Sequence, residues 1–76
     1  MSKLEKLLQR IKNNPKTVRF EDIEKLLLRH GFSESQAGGG SSHYIFKKDE
    51  VFVTIPRHGK FVEEIYVKKA VMAMGV

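Results

Sequence analysis

The chain has 76 residues, no cysteine, 41% hydrophobic residues and a formal charge of +5 at neutral pH. That length holds one domain with a small core, the hydrophobic fraction argues against disorder, and the lack of cysteine excludes a disulfide framework or a thiolate zinc site. No apolar run approaches the roughly 18 residues that span a membrane, so a soluble, cytoplasmic protein is expected, one whose charge favours nucleic acid, anionic lipid or an acidic protein.

Ser2 can cap a first helix, with Glu5 as its reciprocal partner. Leu4, Leu7, Leu8 and Ile11 continue at helical spacing. Met1 to Lys12 interleaves charge with leucine, unlike the apolar segment of a signal peptide. Lys3 to Lys12 is therefore an amphipathic helix, closed by Asn13, Asn14 and Pro15. A second helix is expected from Phe20 to His30, with Phe20, Ile23, Leu26 and Leu27 on one face. Glu21, Asp22 and Glu24 meet its positive end, and Arg29 and His30 its negative end. Gly31 suits a left-handed C-cap that lets Phe32 fold back.

Phe32 to Gln36 reads as a weak edge strand and Gly38 to Ser41 as a loop. His43 to Lys47 and Val51 to Ile55 are rich in aromatic and β-branched residues and read as strands. A two-residue turn at Asp49-Glu50 would set Lys48 against Val51, Phe46 against Val53 and Tyr44 against Ile55. Tyr44, Phe46, Val53 and Ile55 then face the core, and His43, Ile45, Lys47, Phe52 and Thr54 the other side. Pro56 ends the second of these strands, and Arg57 to Lys60 is a basic loop. Glu63 to Met74 is expected to be a final helix with Ile65, Met72 and Val71 inward, ended by Gly75. The order ααβββα makes an α+β fold: a three-stranded antiparallel sheet packed by helices, in a single domain spanning residues 1–76.

GSSHYIF, residues 40–46, followed by VTIPRHGK, residues 53–60, and preceded by Leu26 to Phe32 with its Gly-Phe ending, resembles the HicA-type mRNA interferase toxins (YcfA-like family). The resemblance covers Phe20 to the C-terminus. This chain has two serines, Ser41 and Ser42, where the family pattern usually has one between glycine and histidine. Residues 1–17 lie outside it as an N-terminal helical extension to a HicA-like domain at 18–76. The resemblance implies a fold like a double-stranded-RNA-binding domain. It also implies ribonuclease action on messenger RNA and inhibition by a HicB-type antitoxin.

His43 matches the histidine of the Gly-Ser-His step, so the resemblance implies that it is catalytic. Metal-free RNA cleavage needs a base for the 2′-hydroxyl, an acid for the leaving 5′-oxygen and donors for the phosphate. Histidine, with an ordinary pKa of about 6.5, suits the proton transfers. The amides of Gly40, Ser41 and Ser42 can cradle phosphate. Lys47, Arg57 and Lys60 can neutralise it, with His58 in the same basic loop. His58 and Tyr44 are candidates for a second proton transfer. His30, His43 and His58 lack carboxylates at ligand spacing, so neither metal nor other cofactor is expected. The alternative is a non-catalytic module that binds double-stranded RNA. It would need no histidine at position 43, and Glu63 and Glu64 would repel phosphate from the last helix.

Overall fold

The structure, a computed structural model, describes residues 2–36, 42–57 and 59–75. The elements are α1 (Lys3–Asn13), a 3-10 turn (Pro15–Thr17), α2 (Phe20–Arg29), β1 (Ser33–Gln36), β2 (His43–Lys48), β3 (Val51–Pro56) and α3 (Glu64–Met74). The strands form one antiparallel sheet in the order β1-β2-β3. This is the expected α+β fold in the expected order, ααβββα.

Local chemistry sets most boundaries. The Ser2 hydroxyl accepts the amide of Glu5 at 3.1 Å and starts α1. Asn14 caps its end, and Pro15 opens the short 3-10 turn that the sequence reading had missed. At the end of α2, His30 is the C-cap, and its ring nitrogen Nδ1 lies 2.8 Å from the carbonyl of Leu26. Gly31 follows with φ 91°, a backbone that residues with a Cβ adopt only under strain. The amide of Phe32 then donates to the carbonyl of Leu27 at 3.0 Å, folding the chain back toward the sheet.

The β2–β3 hairpin has the predicted two-residue turn, with Asp49 at φ 55°. Lys48 pairs with Val51, Phe46 with Val53 and Tyr44 with Ile55. Because directly opposite residues share a face, this register divides the sheet as expected. Phe46, Val53 and Ile55 are buried beneath the helices with Ile23, Leu26 and Leu27. Tyr44 packs against Phe20 of α2, the rings tilted by 52° with centres 4.9 Å apart. The other face carries exposed His43, Lys47 and Phe52, with Ile45 and Thr54 half-buried.

α1 belongs to this core. Ile11 is 1% exposed, and Leu4, Leu7 and Leu8 pack against the cluster at its edge. The α3 face differs from expectation. Ile65 is 56% and Met72 79% exposed, whereas Val67 and Ala70 are fully buried and Val71 partly so. Apolar residues run almost around α3, so its periodicity does not select a face. Docking selects it: the Val62 amide donates to the Val18 carbonyl at 2.7 Å and seats the entry to α3 against the chain before α2. Val67 and Ala70 then lie on the buried line. Among the described residues, no helix is long and apolar enough to cross a membrane.

Candidate active site

His43 opens β2, exposed to solvent, with its Cα opposite Pro56 at the end of β3. One step beyond, the amide of Arg57 donates to the carbonyl of Ser42 at 2.6 Å. The backbone on both sides of His43 is therefore held by β pairing, and the imidazole projects from a fixed hairpin end.

The predicted cations separate into two groups. Lys47 shares the face of His43 but lies four residues along β2, about 13 Å away at strand spacing. Arg57 turns to the helix side. Its guanidinium is 2.9 Å from the Glu21 carboxylate and 4.9 Å from the centre of the Phe20 ring. Both partners are largely exposed, so the ion pair itself is worth roughly 0–1 kcal/mol. The stacking on Phe20 adds to the same orientation. Lys60 sits over Phe61 at 5.3 Å. Arg57 and Lys60 line a recess of about 120 Å³ with Phe20, Glu21, Pro56 and Gly59. Two predicted phosphate ligands thus meet beside the strand end that pairs with His43, while Lys47 stands apart. Gly40, Ser41 and His58 lie outside the described residues, as does the whole loop from Gly38 to Ser41. Tyr44, offered as a second proton donor, points to the opposite face from His43 and packs on Phe20.

One titratable site escaped the sequence reading. Glu34 of β1 is opposite Phe46 and so lies on the helix side of the sheet. The pKa of its carboxyl is raised to about 7, first by a side-chain hydrogen bond with Glu24 of α2, then by burial and by the charge of Glu24, with Arg57 opposing. A carboxyl in that range is suited to proton transfer, but the sheet separates it from His43. Its only sequence signal is the alternation of β1, and that becomes readable once the pairing with β2 is known. Among the described residues, no group of three or more His, Asp or Glu side chains is placed to hold a metal ion.

Compared with known proteins, residues 20–75 match the model of a family described as the HicA toxin of bacterial toxin-antitoxin systems. The matched segment begins at α2 and leaves α1 outside. Neither a curated protein nor a solved structure matches the chain.

Proposed function

The chain belongs to the HicA toxin family of toxin–antitoxin systems, and on that premise we propose that it is a metal-independent endoribonuclease that cleaves messenger RNA with His43 as its acid–base group. The observation that carries this reading is the exposed imidazole at the braced end of the hairpin, whose pairing partner Pro56 lines the Arg57–Lys60 recess. His43 takes the proton of a 2′-hydroxyl, the 2′-oxygen attacks the adjacent phosphorus, and the bond from phosphorus to the 5′-oxygen breaks. The leaving oxygen acquires a proton, so the products are a 2′,3′-cyclic phosphate and a 5′-hydroxyl. Ser42, with Gly40 and Ser41 before it, offers main-chain donors to the phosphate. Arg57 and Lys60 contribute positive charge at the recess and Lys47 farther along the strand, with His58 as a further substrate-binding residue. Transcript loss in the cytoplasm then halts translation and growth until a HicB-type antitoxin binds. Residues 18–76 form the toxin domain, extended by residues 1–17.

The duplex-binding alternative is disfavoured by Glu63 at the N-cap of α3 and Glu64 in its first turn, where carboxylates would face phosphate. The test is single-stranded RNA incubated with purified protein and a chelator. His43→Ala is expected to slow cleavage by about 10²- to 10⁴-fold, the usual worth of one acid–base group, and to relieve growth arrest on expression. Equal cleavage by both proteins would remove His43 from the chemistry, and absence of cleavage by the wild type would remove the nuclease.

A further inference from the structure

We propose that the helix-free face of the sheet, continued onto the flank of α3, is a track for single-stranded RNA on which Phe52 stacks a base. This deepens the ribonuclease reading and rests on it, because the track leads to His43.

Phe52 is 69% exposed, a large apolar ring held outward on a paired strand rather than on a loose loop. Its Cα partner is Lys47. Beside it runs a groove of about 550 Å³ between β3 and α3, lined by Phe52, Thr54, Tyr66, Lys69 and Met72. The Lys69 ammonium sits 5.7 Å from the centre of the Tyr66 ring. Phe52, with Lys47 beside it, and Tyr66, with Lys69 over it, thus place a ring and a lysine on each side of the groove. Interleaved rings and cations are what a sequence-tolerant single-strand site requires: rings take the bases and lysines follow the backbone.

The charge distribution points to the same occupant. The described strand positions on this face are Ser33, Ser35, His43, Ile45, Lys47, Phe52, Thr54 and Pro56, with no carboxylate among them. The sheet's own glutamate, Glu34, lies on the other side with Glu24, and Glu64 of α3 is paired with Lys68 at 3.1 Å. A polyanion thus meets lysine and aromatic surface. Phe52 is four residues from Pro56, the partner of His43, or about 13 Å along the strand. A strand stacked at Phe52 reaches His43 within a few nucleotides. In a duplex, each base face is covered by its neighbours, so an exposed ring has nothing to stack on within it. Single-stranded RNA is therefore the substrate class this face fits.

The test uses a 2′-O-methyl RNA oligonucleotide, which lacks the attacking hydroxyl and stays intact, with binding read by fluorescence anisotropy. Phe52→Ala is expected to weaken binding by ~5-fold or more, the usual loss of one stacked base, with the circular dichroism and melting temperature of the wild type. Phe52→Trp is expected to keep the affinity. Since the chain has no tryptophan, its fluorescence reports the site alone and should be quenched by the oligonucleotide. Unchanged affinity in Phe52→Ala overturns the proposal. So does duplex RNA binding as tightly as the single strand, or an antitoxin quenching Phe52→Trp when the oligonucleotide does not. Cleavage by wild type and His43→Ala is measured in parallel on unmodified RNA. A failure there strikes the catalytic reading and leaves the Phe52 result to be judged separately.

Discussion

At Glu34, folding changes the proton affinity of a carboxyl. The hydrogen bond with Glu24, burial and the Glu24 charge together hold its pKa near 7, against the attraction of Arg57. An unfolded glutamate titrates near 4.3, so between about pH 4.3 and 7 the folded chain binds more protons than the unfolded one. The stabilisation is then complete below the unfolded value and is lost as pH rises through the folded one. Glu34→Gln keeps a hydrogen-bonding amide opposite Glu24 and removes the shared proton. Its urea midpoint is expected to gain on the wild type from pH 5 to pH 8, with a smaller gap in high salt because the side chain of Glu34 is solvent-accessible. Parallel curves for the two proteins would mean that no proton is shared. The same residue explains a limit of sequence reading: the nine residues between Glu24 and Glu34 hold a helix end, a left-handed glycine and a strand start, and their meeting depends on how the three are docked.

Among the elements, the β2–β3 hairpin decides where the chemistry sits. A two-residue turn fixes parity, and a slip by one position would send His43, Lys47 and Phe52 to the helix side and Phe46 to solvent. That turn and the alternation were readable locally, so the predicted register agrees with the observed one. α1 was equally readable as an amphipathic helix, and its packing makes it part of the same core despite lying outside the family match. Ile11 is its anchor, 1% exposed. Ile11→Ala is expected to destabilise the chain by about 2–5 kcal/mol, measured by urea unfolding. That is a large share of the roughly 5–15 kcal/mol holding a domain together. A change below about 0.5 kcal/mol would show α1 to be a detachable appendage. α3 shows the opposite case. Its apolar residues run almost around the helix, so the buried line of Val67 and Ala70 was set by the docking of Val62 on Val18.

For the molecule as a whole, the charge of +5 makes RNA binding sensitive to salt. If three to five phosphates are neutralised on a single strand, raising salt from 50 to 200 mM should weaken binding by about 10- to 100-fold, measured with the uncleavable oligonucleotide. A flat response would mean that the excess charge serves another partner. The amino-acid order by itself determined the succession of elements, the hairpin register and the place of His43 at a strand end. It did so because capping, turn geometry and strand alternation act between residues a few positions apart. Tertiary structure alone decided the inward face of α3, the diversion of Arg57 to Glu21 and Phe20, the meeting of Glu24 with Glu34, and the groove joining Phe52 to Tyr66 and Lys69. Each of those brings together groups from separate elements, and their distance is set by how closely buried side chains let helix and sheet approach.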